Sequence, residues 1–295
     1  MSAFVIWGFI SIPLKLLSIF PSPQILFYRI LLALLCMPVI LLVFKRQAIA
    51  DTYRLYKNLG KYERRKNIIA LVSSSLLLTA NWLLFIYVVN HVSLQTASFS
   101  YLLCPILTAF LGYIILREQL RFQQWLAIGI SLLSCCLIGV DSLLNLTYSL
   151  LVAFSYALYL ISQRYLRNYD KMVVLTVQIC LSFIIIFSLG ENFRGTAPDS
   201  VFFYTTIFVL STVFTILPLF LNLYALKELK SATIGILMYI NPLVSFLVAF
   251  VYFNEQANTI QLLAYLLIFL SILLYNARPG WLPLGGFLRK SGASR

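Results

Sequence analysis

Apolar residues dominate this chain in long runs, which short polar segments interrupt. A helix needs about 20 mainly apolar residues to cross the hydrocarbon core of a bilayer. The pattern therefore predicts an all-α integral membrane protein with ten transmembrane helices. The predicted helices are 1–20, 24–44, 68–89, 93–116, 123–140, 143–165, 171–190, 201–226, 231–253 and 258–276.

Composition supports the same conclusion. Hydrophobic residues make up 61% of the chain and charged residues only 11%, whereas soluble domains carry roughly 25% charged residues. A water-soluble fold of this size could not cover so much apolar side chain. The lipid bilayer is therefore the expected environment.

The formal net charge of +13 comes from basic residues that lie between the apolar runs. Membrane topology explains this distribution better than a nucleic-acid-binding face does, because cytoplasmic loops are enriched in Lys and Arg. With the amino terminus inside, the inner segments carry 19 of the 22 Lys and Arg residues. Both termini are thus predicted to be cytoplasmic. The inner segments are 45–67, 117–122, 164–171, 227–230 and the tail after 276.

The one long inner segment, 45–67, reads KRQAIADTYRLYKNLGKYERRKN. Tyr53, Tyr56, Leu59 and Tyr62 recur every three residues, which favours a short helix lying on the anionic inner leaflet. A solvated basic loop that only fixes the topology is an equal alternative.

The stretch LLCPILTAFLGYIILREQ, residues 102–119, has a counterpart in YINPLVSFLVAFVYFNEQ, residues 239–256. The two align at an offset of 137 residues, and the alignment needs no gap from Leu84 to Leu137. Matched proline and polar residues are more informative than matched leucines. These pairs are Pro105 with Pro242, Glu118 with Glu255, Gln124 with Gln261 and Ser134 with Ser271.

A repeat of five helices places the second copy upside down in the membrane. The predicted organisation is a first repeat over 1–140, an inverted second repeat over 141–276 and a short basic cytoplasmic tail over 277–295. Inverted repeats are typical of secondary transporters, whose substrate site lies near the midplane between the halves. The pattern thus predicts alternating access around a central cavity.

Several motifs carry a resemblance to a known family. The stretch NWLLFIYVVNHVSLQTASFSYLLCPILTAFLGYIILRE is similar to the RarD-type (chloramphenicol-sensitivity) proteins of the EamA family, in the drug/metabolite transporter superfamily. Further matches are IWG with Pro13 and Lys15, the arginine of ILFYR at Arg29, and YINPL at 239–243. The resemblance covers nearly the whole chain. It departs at Tyr28, Gln95 and Cys104, where relatives usually have His, an acid and Asn.

The resemblance implies a multi-pass permease of the bacterial inner (plasma) membrane, with ten helices in two five-helix halves. It also implies a small metabolite or drug-like compound as substrate, often moved outward. The resemblance is compatible with both a monomer and a homodimer.

Arg29 and Lys15 are the strongest candidates for function, because a charge within the bilayer costs about 2.5–3.5 kcal/mol and normally faces a cavity or a partner. Arg29 would line an aqueous route and attract an anionic group such as a carboxylate. Lys15 would do the same, or extend its amine to the membrane interface.

Other cavity candidates are an amide, three aromatic residues and an asparagine beside a proline: Asn81, Trp82, Tyr101, Tyr239 and Asn241. Asn81 belongs to the motif that resembles the family, although amides within apolar runs more often bond neighbouring helices. The aromatic residues could wall the cavity, or simply pack in the core.

Pro105 and Pro242 each remove a backbone donor, and so predict helix breaks near the pathway or kinks that serve packing alone. Glu118 and Glu255 suggest proton coupling. The favoured reading is structural, in which each carboxylate caps the coming helix and Glu118 has Arg121 within reach.

No metal, nucleotide or other cofactor is expected. His91 is the only histidine, and the sequence contains neither a glycine-rich phosphate loop nor an acidic metal cluster. A secondary transporter is therefore favoured over an intramembrane enzyme. A non-transporting membrane sensor or scaffold is the alternative function.

Overall fold

The structure of the protein is a computed structural model, and it describes residues 1–17, 19–92, 94–138, 143–251 and 259–277. All regular structure in these ranges is helical. The helices are α1 Ser2–Gly8, α2 Ser11–Leu16, α3 Ser22–Phe44, α4 Arg46–Asn58, α5 Lys61–His91, α6 Leu94–Leu116, α7 Phe122–Ile138, α8 Leu143–Tyr165, α9 Lys171–Ser188, α10 Glu191–Arg194, α11 Val201–Ser211, α12 Leu217–Glu228, α13 Ser231–Leu237, α14 Ile240–Val251 and α15 Thr259–Asn276.

Six helical segments in the described ranges are long and apolar enough to cross a membrane. They involve α3, α5, α6, α8, α9 and the continuous run of α11 and α12. Outward faces of these helices are apolar, as at Leu35, Val39 and Leu42 on α3, which are all exposed. Lipid tails are the natural cover for such a face. The protein is therefore a multi-pass helical membrane protein.

Four shorter apolar helical segments, Ser2–Leu14, Phe122–Leu137, Ser231–Val244 and Leu262–Asn276, lie within the other four predicted helices. Two of them are interrupted. The first breaks between α1 and α2, and the ninth breaks at Met238 and Tyr239, between α13 and α14. The ten-helix count stays a prediction, because six long apolar helical segments are found among the described residues.

The segment 45–67 is helical rather than an extended loop. It contains α4 and the first turns of α5, which begins at Lys61 after Gly60. Tyr56 on α4 is half-buried, whereas Tyr53 and Tyr62 are exposed. Leu59 lies just after α4 and Tyr62 lies on α5, so the three-residue spacing does not continue along one helix.

The main packing contacts join the two halves of the chain. Helix α8 packs between α5 and α6, α13 packs on α6, and α7 pairs with α15. In the α7–α15 interface, Ser134 donates to the Ala264 carbonyl at 2.7 Å and Ser131 donates to Ser271 at 3.0 Å. The largest hydrophobic core runs from Phe4 to Met238 and so draws on both halves.

Two glycines permit close approach between helices. A side-chain carbon at Gly235 on α13 would lie 2.9 Å from Thr108 Cβ and 3.2 Å from the Pro105 carbonyl oxygen on α6. A carbon at Gly8 on α1 would lie 2.4 Å from Val244 Cβ on α14. Both contacts need a residue without a Cβ, and both link the first half to the second.

Candidate functional site

Arg29 lies on α3, and its side chain is only 9% exposed. Its Nε donates a 2.7 Å hydrogen bond to Thr215 Oγ1, and its guanidinium lies over the Trp82 ring, 5.3 Å from the centroid. Among the described residues, none of the carboxylates is within ion-pair distance of it. In the described part of the chain, the charge is thus held by a hydroxyl and an aromatic face.

Thr215 belongs to a π-helical segment, Thr212–Ile216, that joins α11 to α12. The sequence explains this segment, because Pro218 lacks the N–H that would bond the Phe214 carbonyl in an α-helix. The Phe214 carbonyl instead accepts a 3.0 Å bond from Trp7 Nε1. Single π-helical turns inside α-helices often mark functional sites. Here the turn presents Thr215 and the Phe214 carbonyl to α3 and α1.

Aromatic side chains surround this point. Trp7 meets Tyr156 edge-on, with ring centroids 6.3 Å apart. The Tyr156 hydroxyl accepts a 3.0 Å hydrogen bond from Asn222 on α12. Tyr101 lies near Arg29 and packs on Phe85, with ring centroids 5.1 Å apart.

We call the resulting group the central site, and define it as Trp7, Arg29, Trp82, Tyr101, Tyr156 and Thr215. Four of these residues come from the first half of the chain and two from the second. One cation, several aromatic faces and a few hydroxyls can bind an anionic group attached to an apolar or aromatic body.

Three residues of the central site, Arg29, Trp82 and Tyr101, are among the cavity candidates predicted from the sequence. Trp7, Tyr156 and Thr215 are not among those candidates. Trp7 stood within the IWG motif, and Pro218 signalled irregular backbone near Thr215. Nothing distinguished Tyr156 among the 18 tyrosines of the chain.

The other cavity candidates make different contacts from those of the central site. Asn81 donates to the Val152 carbonyl at 2.9 Å and to Ser155 Oγ at 3.1 Å, and so bonds α5 to α8. Tyr239 is fully buried in a second core with Phe99 and Tyr275. Asn241 is buried near Gly8, and its carbonyl oxygen would lie 3.2 Å from a carbon placed there. Lys15 lies in α2, and its side chain falls outside the described part of the structure.

The two prolines differ in their surroundings. Helix α6 continues through Pro105, so the expected break at this residue is absent. Pro242 lies in the first turn of α14, just after the interruption at Met238 and Tyr239. A proline in the first helical turn loses no internal hydrogen bond, which explains why the break precedes it.

Glu118 caps α13, whereas the sequence predicted that it would cap the next helix along the chain, α7. Its carboxylate is 7% exposed and accepts hydrogen bonds from the backbone N–H groups of Ser231 at 2.9 Å and Ala232 at 3.1 Å, the first residues of α13. Its cationic partner is Arg164 at 3.7 Å, where Arg121 was expected. Arg117 adopts a left-handed backbone, φ 53°, which turns the chain after α6. Glu255 lies outside the described residues.

Two cavities flank the bundle. One of ≈ 270 Å³ is lined by apolar residues of α3 and α5, with Phe193 from α10. The other, of ≈ 520 Å³, lies between α4 and the start of α9 and includes Lys45, Asp170 and Lys227. Neither of these two cavities is lined by a central-site residue. The described residues contain no group of three His, Cys, Asp or Glu side chains that could hold a metal.

A multi-pass helical bundle with a buried arginine between its halves is typical of a membrane transport protein. The comparisons agree, since the EamA-like transporter family matches residues 1–140 and 143–277. The chain belongs to this family, and it is a RarD-like membrane transporter.

Its relatives are bacterial proteins of similar length. The uncharacterised transporter YojE of Bacillus subtilis is 27% identical over 93% of this chain and 91% of its own. Protein RarD of Salmonella typhi is 28% identical over 93% of this chain and 92% of its own. RarD of Escherichia coli is 24% identical over 93% and 91%. A solved crystal structure aligns with a TM-score of 0.74 at 12% identity over 93% of both chains, which shows a shared fold.

Proposed function

We propose that this protein is a secondary-active transporter that exports or exchanges small metabolites or drug-like compounds bearing an anionic group. Alternating access around the central site would move the compound across the bacterial inner membrane. The observation that carries the proposal is Arg29, a buried cation held by Thr215 and Trp82 with no carboxylate partner among the described residues.

The electrostatics favour an anion. A buried charge is costly unless it is paired, and Thr215 and Trp82 offset only part of that cost. A carboxylate on the transported compound would complete the pairing through two parallel hydrogen bonds, as arginine commonly forms with carboxylates. The aromatic side chains would then contact the apolar part of the compound.

The two-fold organisation supports rocking of one half against the other. The family matches the chain in two successive stretches of similar length. Segments related by the 137-residue offset also pack against each other, α6 on α13 and α7 on α15. Transporters built from inverted repeats place the substrate between such halves.

Counterflow in proteoliposomes loaded with a library of small organic anions, with and without a proton gradient, tests the proposal. Arg29→Ala should lower the initial rate roughly tenfold or more, because hydrogen bonds to charged groups contribute about 1.5–3 kcal/mol. Arg29→Lys should retain part of the rate.

Arg54→Ala is the matched control, because Arg54 is exposed on α4 and pairs only with Asp51 at 4.0 Å. It should transport normally at equal membrane abundance. Normal counterflow by Arg29→Ala would refute the proposed role, and no counterflow of any compound by the unmodified protein would refute the function.

A further inference from the structure

Buried polar atoms without partners follow one face of α8. Tyr156, Tyr159 and Gln163 share this face, because they are three and four residues apart. Tyr159 is 0% and Gln163 is 1% exposed. The Tyr159 hydroxyl and both amide atoms of Gln163 have no hydrogen-bond partner in the described part of the protein.

Helix α12 adds one more such atom. Asn222 is 1% exposed and donates to the Tyr156 hydroxyl, but its Oδ1 has no partner among the described residues. Native proteins satisfy nearly all buried polar groups. Four unpartnered atoms along neighbouring positions therefore indicate groups that pair with something other than the protein.

This polar face begins at the central site, which includes Tyr156. Tyr156 and Tyr159 are in ring contact, with centroids 5.6 Å apart. Gln163 lies two turns beyond Tyr156, a rise of about 10 Å at 1.5 Å per residue. The face thus runs from the middle of the bundle toward the carboxyl end of α8, which we predict to be cytoplasmic.

At the carboxyl end of α8, polar contacts hold the helix ends together. Arg164, next to Gln163, donates to the carbonyls of Leu226 at 2.8 Å and Leu229 at 2.7 Å at the end of α12. It also faces Glu118, whose carboxylate holds the start of α13. These contacts join the ends of α6, α8, α12 and α13 beyond the polar face.

We propose that the Tyr156–Tyr159–Gln163 face of α8, with Asn222 opposite, is the inner half of the substrate route. This proposal rests on the proposed transport function and specifies where the compound passes between the central site and the cytoplasm. When the ends of α8 and α12 separate, Tyr159, Gln163 and Asn222 hydrogen-bond the compound. Because the face offers both donors and acceptors, it suits an organic anion that also carries hydroxyl, amide or amino groups.

Thiol labelling tests the route without a known substrate. In a variant that lacks the five native cysteines, Gln163→Cys should react with the small anionic reagent sulfonatoethyl methanethiosulfonate in inside-out vesicles. Ile161→Cys is the control, because Ile161 is buried on a different face of α8, and it should stay unreactive. An unreactive Gln163→Cys, equal reaction of both variants, or reaction of Gln163→Cys in right-side-out vesicles would overturn the proposal.

Paired transport and stability measurements separate a route from a packing role. Tyr159→Phe and Gln163→Met remove the unpartnered atoms and keep the volume, so the melting temperature should hold or rise. Counterflow of the compounds that the unmodified protein transports should fall roughly fivefold or more, while Tyr165→Phe, exposed on the same helix, should be normal. Normal counterflow by both variants would overturn the route and leave the proposed function, tested through Arg29, intact.

Discussion

The central site is held together by hydrogen bonds between residues that are far apart in the chain. Arg29 and Thr215 are 186 positions apart, and Trp7 and Phe214 are 207 apart. The sequence identified Arg29, because a charge within an apolar run is recognisable by itself. It did not identify Thr215, since a hydroxyl in an apolar helix usually bonds its own backbone.

Thr215→Val tests the pairing of Arg29. Valine keeps the shape but removes the acceptor of the Arg29 Nε bond, so transport should fall roughly tenfold, in line with about 1.5–3 kcal/mol for a bond to a charged group. Initial counterflow rates at several substrate concentrations would measure the change. Thr212→Val is the control, because Thr212 lies on the same π-helical segment and bonds only the Phe208 carbonyl among the contacts described. Equal rates for both variants would contradict the pairing.

Glu118→Gln separates a structural carboxylate from a proton carrier. Glutamine can accept one of the two α13 N–H bonds and removes the charge that Arg164 faces, so we expect a loss of about 1–3 kcal/mol in stability. Thermal unfolding should show a lower midpoint, while the pH profile of transport keeps its shape. The exposed Glu228 provides the control variant Glu228→Gln. A flattened pH profile in Glu118→Gln alone would instead indicate proton coupling.

At the scale of elements, short interruptions divide three of the helices that the apolar pattern predicts as single. Helix α1 ends at Gly8, α11 and α12 meet in a π-helical segment, and α13 stops at Leu237. Apolar periodicity predicted a single helix in each place, because a short break changes few hydropathy values. The cause is local at Pro218. At Gly8 and Gly235 the neighbouring helices α14 and α6 leave no room for a side chain.

Gly235→Ala should weaken the packing of α13 on α6. The added methyl group would meet Thr108 Cβ at 2.9 Å and the Pro105 carbonyl at 3.2 Å, and overpacking of this kind typically costs about 1–3 kcal/mol. Gly129→Ala is the control, because nothing lies within 4 Å of a carbon added there. Thermal unfolding in lipid nanodiscs should show a lower midpoint for Gly235→Ala only. An unchanged midpoint would argue against the close contact.

At the scale of the whole molecule, the two halves form one body. The largest core includes Phe4, Leu78, Tyr159 and Met238, so neither half buries its own apolar surface alone. The Glu118–Arg164 pair, at 3.7 Å, adds a polar contact between the halves to this shared core.

Topology can be checked on the complete protein. The distribution of Lys and Arg predicts that α4 is cytoplasmic and that the segment before α11 is outside. Asp51→Cys and Asp199→Cys both replace exposed residues. An impermeant maleimide should label Asp199→Cys in intact cells, and Asp51→Cys only after the membrane is opened. The reverse pattern would invert the predicted orientation and, with it, the assignment of the inner route.

The sequence alone determined that the protein is helical and lies in a membrane, because apolar run length reflects the thickness of the bilayer directly. It also gave the family and the charge at Arg29. Only the tertiary structure decided that Thr215 and Trp82 hold this charge, that Trp7 bonds the neighbouring Phe214 carbonyl and packs on Tyr156, and that Glu118 caps α13. Those contacts depend on which helices meet and at what height, and hydropathy carries no such information. The proline-containing stretch 102–119 shows the same division, since helix α6 continues through Pro105 while its counterpart Pro242 follows a break.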